Sequence, residues 1–249
     1  MSRERYFLLD ALRGLTLISM IAYHAMFDLV ELYGMPVGWF WSLPGYIWQQ
    51  SICWTFILLS GFCWSLGKAP LKRGAMISLC GLVITAVTRL FMPSQAVYFG
   101  ILTFTGAAML ALIPLEKTLQ RIPPAAGTAV SALLFFLTRN INSGYWGFEA
   151  LELGQVPEGW YQNGVMTFLG FPGEGFSSGD YFSFLPWIFL YLVGYFLYGI
   201  FMKREWIRRK LRSRSRILEG IGRHTLPIYM LHQPVLLAVM QCVFRVVDF

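Results

Sequence analysis

The stretch from residue 8 to residue 29, LLDALRGLTLISMIAYHAMFDL, is long enough to cross a bilayer as a helix, yet it carries Asp10, Arg13, His24 and Asp28. A spanning helix needs about 20 predominantly apolar residues, and runs of that length recur from end to end of the 249-residue chain. Only 13% of the residues are charged and 56% are hydrophobic, far from the roughly 25% charged of a soluble domain. In hydrocarbon every backbone N–H and C=O must be satisfied within its own segment, which favours helices. The pattern therefore predicts an all-α polytopic transmembrane helix bundle forming a single domain over residues 1–249. Spans are expected near 7–32, 46–67, 74–93, 97–115, 124–139, 181–202 and 224–246, seven in all, punctuated by Gly67, Pro93 and the pair Pro123 and Pro124. The first apolar segment is too long and too charged for a cleavable secretory signal and lacks a small-residue cleavage site.

Short cytoplasmic loops are enriched in Lys and Arg. The N-terminus (Arg3, Arg5), the second connection (Lys68, Lys72, Arg73), the fourth (Lys117, Arg121) and the sixth (Lys203 to Arg216) are basic. The segment 140–180 holds Glu149, Glu152, Glu158, Glu174 and Asp180 with no Lys or Arg. Seven spans with a cytoplasmic N-terminus fit this alternation, and the net charge of +7 then reflects topology. No nucleic-acid partner is expected, because neither a motif nor a soluble basic domain is present. The run KREWIRRKLRSRSRILEGIGRH reads as a basic interfacial helix on anionic lipid, with Trp206, Ile207 and Leu211 dipping inward. Some of its cations are also candidates for the phosphates of a cytosolic donor. Cys53, Cys63, Cys80 and Cys242 lack metal-ligand spacing and no metal is expected. The glycines of GRG and FGIL read as helix-packing contacts.

At about 100° per residue, Asp28 projects in the direction of Asp10, with His24 about 40° and Arg13 about 60° away. One stripe of the first helix thus carries all four ionisable groups, and such groups at membrane depth mark a wet or functional interior. Asp10 and Arg13, three residues apart, fit a structural ion pair. His24 and Asp28, one turn apart and about 25 Å above the start of the helix, fit an imidazole oriented by a carboxylate. A second polar stripe lies in LPIYMLHQPVLL, where Tyr229, His232 and Gln233 precede Pro234. Proline removes a helical donor there, which suits a cavity wall. His232 also fits a plain interhelical hydrogen bond.

These motifs together resemble a known family. RYFLLDALRG followed by a histidine in the same helix, WTFILLSGFCWSLGK, VYFGILTFTGAAML, GFSSGDYFSFLPWIFLYLVG and GRHTLPIYMLHQPVLL look like the heparan-alpha-glucosaminide N-acetyltransferase catalytic-domain family, whose bacterial members include small membrane proteins. The LD-x-x-RG, LLSGF and LHQPV elements are more distantly similar to the acyltransferase-3 family. The resemblance implies transfer of an acetyl group from cytosolic acetyl-CoA to an amino or hydroxyl group of a sugar or glycoconjugate, at or beyond a bacterial inner membrane. It implies a catalytic role for His24, with Asp28 and His232 beside it. Asp10 and Arg13 match the LD-x-x-RG element and are both expected at the acetyl-CoA site, with Arg13 placed to meet CoA phosphates. Asp180 matches the S-x-x-DY element and, with Tyr229 and Gln233, is expected at the acceptor. The chain departs from the family pattern at Thr103, where a histidine often follows FGIL, and it lacks the luminal region of the lysosomal member.

His24 then serves either as general base for the acceptor or as a nucleophile that is itself acylated. Expected partners are acetyl-CoA, the acceptor, the lipid bilayer and a second copy of the chain in a homodimer. Two other classes remain open on sequence alone. A transporter or flippase of a small or lipid-linked sugar would move substrate without CoA, although the paired interrupted helices typical of such proteins are absent. A docking protein would use its buried charges only to pair with one another.

Overall fold

The computed structural model describes residues 5–247, with side chains described to residue 244; Arg3 lies outside them. The described chain is mostly helical. It runs α1 (Phe7–Glu31), α2 (Leu43–Phe62), α3 (Pro70–Phe91), α4 (Ile101–Leu119), α5 (Pro124–Thr138), β1 (Tyr145–Phe148), β2 (Leu151–Gln155), α6 (Gly164–Leu169), α7 (Phe184–Phe201), α8 (Glu205–Leu211), α9 (Arg216–Arg223) and α10 (Thr225–Val247). Five of these, α1, α3, α4, α7 and α10, are long and apolar enough to cross a membrane. The other two expected spans fall short of that measure for different reasons. α2 has the length, but Trp48, Gln49, Gln50 and Ser51 dilute it, whereas α5 is apolar but has 15 residues.

The all-α expectation is corrected by an antiparallel hairpin in the acidic segment. Tyr145 pairs with Gln155 and Phe148 with Leu151, around a bulge between Trp146 and Gly147. Gly147 has φ +135°, and a Cβ there would lie 2.0 Å from the Leu151 carbonyl oxygen, so only glycine fits this strand position. The side chain of Asn140 closes the hairpin by donating to the Glu149 carbonyl and accepting from the Glu149 N–H, at 2.7 and 2.9 Å.

The chain forms two compact units. The first joins residues up to Leu59 to those from Arg204 onward. In it α1 packs chiefly on α9 and also on α8 and α10. The α1–α9 approach is made by glycine. A Cβ on Gly14 would lie 2.2 Å from the Leu218 carbonyl oxygen, and one on Gly222 1.8 Å from that of Asp10. Backbones brought this close gain dispersion contacts that do not depend on water, as helix pairs in lipid require. Leu17, Met20 and Ile52 form the buried centre, with Trp48, Phe56, Ile221, Ile228 and Tyr229 around them. The basic run is two short helices rather than one. Leu211 is buried, but Trp206 and Ile217 are 61% and 79% exposed, outward-facing apolar side chains suited to an interfacial segment.

The second unit, Ser60–Lys203, pairs α3 with α4 and α5 with α7. Again small residues set the spacing. Gly106 faces Ser78, and Gly81 faces Thr103, so the threonine standing where the family often has histidine is a packing contact between α3 and α4. Tyr191, Phe104 and Phe135 are fully buried among these helices. Helix boundaries follow local chemistry. α3 starts at Pro70, four residues earlier than expected, because proline has φ preset for the first helical position and no N–H to orphan. α4 starts at Ile101, later than expected, because Phe99 takes φ +54° and breaks the run before Gly100.

Candidate active site

Within the first unit, α1 and α10 bring five of the expected residues together: His24, Asp28, Tyr229, His232 and Gln233. The imidazoles of His24 and His232 face each other with ring centroids 4.9 Å apart and planes inclined by 55°. Tyr23 and Tyr229 flank them, at 6.1 Å from His24 and 5.3 Å from His232 respectively. One turn further along α1, the carboxylate of Asp28 is fully buried. It accepts from the Gln233 amide nitrogen at 2.8 Å through Oδ1 and 2.9 Å through Oδ2. Asp28 is therefore held by Gln233, and among the described residues no hydrogen bond joins it to His24. The carboxylate-behind-imidazole arrangement expected from sequence is replaced by two parallel α1–α10 pairs, His24 with His232 and Asp28 with Gln233.

Both pairs depend on position along helices. His24 and Asp28 share a face at four-residue spacing, and Pro234, inside α10, leaves the turn that carries His232 and Gln233 one backbone donor short. The Nδ1 of His232 is bonded to the Tyr229 carbonyl. A carbonyl can only accept, so this contact assigns the proton of the neutral ring to Nδ1 and leaves a lone pair on Nε2. That Nε2 and the Gln233 Oε1 are buried without a hydrogen-bond partner among the described residues.

Nearer the start of α1, Asp10 is buried. Its Oδ1 takes Arg13 at 3.0 Å and its Oδ2 takes Arg5 at 3.0 Å. Asp10 is thus a structural acceptor for two guanidinium groups, and Arg13 keeps donors to spare out of its five. Glu219, absent from the sequence reading, is 4% exposed. It accepts from the Ser215 N–H at 2.9 Å, as a cap to α9, and from Arg223 at 3.3 Å. Phe7 lies 4.1 Å beneath the Arg214 guanidinium, a cation–π contact. The sign of these roles in the sequence is an acid inside a basic run, a feature that Glu219 shares with Glu205. His224 ends α9, with Nδ1 2.9 Å from the Gly220 carbonyl.

Asp180 belongs to the second unit. Its Oδ2 accepts from the Ile101 N–H at 3.2 Å and so satisfies one of the orphan donors at the start of α4. Ser178 braces the same place by accepting from Tyr98 N–H and donating to the Tyr98 carbonyl, both at 2.9 Å. Burial pushes the Asp180 carboxyl up to about 6, with the Ile101 N–H opposing the shift. A carboxyl raised in the folded state binds its proton more tightly folded than unfolded. Its contribution to stability is present below the ordinary pKa near 4 and is lost as pH rises through about 6. Asp180→Asn keeps an oxygen for Ile101 and removes the titration. Its thermal midpoint should therefore exceed that of the parent above pH 6, and the difference should vanish near pH 4, as read by melting curves across that range.

Tyr181 donates its hydroxyl to the Thr167 carbonyl, and Asn142 donates to Gly170 O and Ser183 Oγ at 3.0 Å each. These bonds pin the segment that follows the hairpin. Arg139 pairs with Glu149 at 3.5 Å and lies 4.9 Å over the Trp187 ring. Among the described residues no cluster of three or more His, Cys, Asp or Glu is placed to hold a metal ion.

The family described as heparan-alpha-glucosaminide N-acetyltransferase, catalytic, matches this chain over residues 5–234. No curated protein and no solved structure matches it. The matched range runs from Arg5, which grips Asp10, through the last turn containing His232 and Gln233, and so takes in both α1–α10 pairs. The chain belongs to the heparan-alpha-glucosaminide N-acetyltransferase catalytic family, whose members are membrane acetyltransferases.

Proposed function

We propose that this protein moves an acetyl group from acetyl-CoA to an amino or hydroxyl group of a sugar or glycoconjugate. The observation that carries the reading is the pair of facing imidazoles, His24 and His232, inside a chain of an acetyltransferase family. In the reaction the acceptor nitrogen or oxygen attacks the thioester carbonyl. A C–N or C–O bond forms, the C–S bond breaks, CoA leaves as the thiolate, and the acceptor loses a proton. An imidazole beside the attacking atom takes that proton. His24 is the group proposed for this role, since its ring has no hydrogen-bond partner among the described residues and remains available, and His232 lies within reach to share the charge. Arg13, with spare donors, and the cations of α8 and α9 supply the charge that CoA phosphates need. Seven crossings with a cytosolic N-terminus, α2 and α5 included, would put those basic segments on the donor side.

The direct test is acetyl-CoA binding to detergent-purified protein by calorimetry, with CoA as comparison. Saturable micromolar binding is the expected result. A folded sample that binds neither overturns the proposal and turns attention to transport.

A further inference from the structure

Residues 202–224, between α7 and α10, carry nine Lys and Arg against two Glu. That excess of seven equals the net charge of +7, so the rest of the chain is neutral in sum and the positive field is concentrated on α8, α9 and the turns beside them. The cations divide into two groups. Arg214 and Arg223 are drawn over the Phe7 ring, at 4.1 and 6.0 Å, at the start of α1 where Arg5 and Arg13 meet Asp10. Arg208, Lys210, Arg212 and Arg216 are exposed, and among them stand two exposed apolar side chains, Trp206 and Ile217. α9 meets α1 through the backbone of Leu218 and Gly222. Ile217 and Gly220, three residues apart, share another face, and a Cβ on Gly220 would meet nothing within 4 Å. The two acids do little to offset the outward charge. Glu219 is buried as the cap of α9, and Glu205 answers one cation, Arg209, at 3.6 Å.

Connectivity sets the level at which this surface lies. α8 begins four residues after α7 ends, and α9 ends two residues before α10 begins. Both flanking helices are of membrane-crossing length, as is α1, whose first turns α9 lies against. We propose that the outer side of α8 and α9 is a docking surface for the anionic phospholipids of the adjacent leaflet. Arg208, Lys210, Arg212 and Arg216 meet the phosphodiester headgroups, and Trp206 and Ile217 enter the acyl boundary beneath them, where an amphipathic indole is favoured. Neutral lipid satisfies the two apolar side chains but leaves the cations without counter-charge, so the surface distinguishes lipids by charge. Because α9 is held to α1 by backbone contacts at glycine, lipid bound to the folded segment stabilises that helix pair by linkage. The inference rests on the chain being a membrane protein and is independent of the identity of the acetyl donor and acceptor.

The test places the full-length protein in nanodiscs of phosphatidylcholine alone and of phosphatidylcholine mixed with phosphatidylglycerol. The thermal midpoint should be higher in the anionic discs by roughly 2–4 °C, the shift that a modest linked stabilisation gives a chain of this length. Raising NaCl from about 0.1 to about 0.5 M should shrink that rise. A triple variant, Arg208→Gln, Lys210→Gln and Arg216→Gln together, should lose most of it. Trp206 reports the apolar half of the contact. Lipid brominated in its acyl chains should quench the parent more than Trp206→Phe, the difference being the signal of Trp206 itself. Equal midpoints in the two lipids, a full rise in the folded triple variant, or no quenching of Trp206 overturns the docking surface. Inorganic phosphate that reproduces the rise in phosphatidylcholine discs assigns the cations to a soluble anion and overturns it as well. Where the triple variant does not fold, Lys210→Gln and Arg216→Gln taken singly should each remove part of the rise, and a full rise in both overturns the proposal.

Discussion

His24→Ala should lower the rate of acetyl transfer by about 10²- to 10⁴-fold, the range that a positioned proton acceptor contributes, while leaving the protein folded. The second half of that expectation follows from the contacts. The His24 ring touches His232 and Tyr23 but makes no hydrogen bond among the described residues, so its removal strands no partner. Initial rates from labelled acetyl-CoA, with size-exclusion profiles as the check on folding, read the two halves separately. The His232→Ala and double variants sharpen the result. If the two imidazoles work as one unit, the double variant loses little more than His24→Ala alone, because residues acting together are strongly non-additive. Full turnover in His24→Ala would remove the imidazole pair from the chemistry.

The second large effect concerns the fold. Gly222→Val should destabilise the protein severely, because the first carbon of any side chain there falls 1.8 Å from the Asp10 carbonyl oxygen. The obstruction is backbone on both sides, so no rotamer change relieves it. Overpacking commonly costs about 1–3 kcal/mol, and here the alternative is separation of α9 from α1. That separation would also disturb Asp10, whose side chain gathers Arg5 and Arg13 at the same place. Gly220 provides the internal control. It lies two residues away in the same helix and has open space around it. Gly220→Ala should be neutral or stabilising by up to about 1 kcal/mol, the helix-propensity difference. Thermal midpoints in one detergent compare the pair, and equal midpoints would contradict the glycine-contact account of this interface.

Periodicity and hydropathy were enough to find every long helix, because a bilayer permits few alternatives to a helix and a run of about 20 apolar residues is hard to hide. The same pattern put Asp10, Arg13, His24 and Asp28 on one stripe of α1, and that stripe does face its partners α9 and α10. Helix ends were less legible, since Pro70 extends α3 through local dihedral preference and Phe99 delays α4. The hairpin escaped notice because strands of four and five residues, joined through Glu149 and Ala150 without an Asn-Gly or Asp-Gly turn, leave too little alternation to register.

The sequence by itself determined the chemistry available at the site: which ionisable residues enter the membrane-length helices, and that Pro234 removes a backbone donor inside the last of them. Only the tertiary structure decided who pairs with whom. Asp28 and Gln233 are 205 residues apart, and no local rule links them. Spacing along α1 made His24 the natural neighbour of Asp28, but a carboxylate buried where α1 meets α10 bonds to whichever donor the crossing supplies. The crossing supplies an amide. Sequence periodicity orients a side chain about its own helix axis, whereas its partner is set by where two helices touch, and that depends on the glycines and bulky residues of the whole interface.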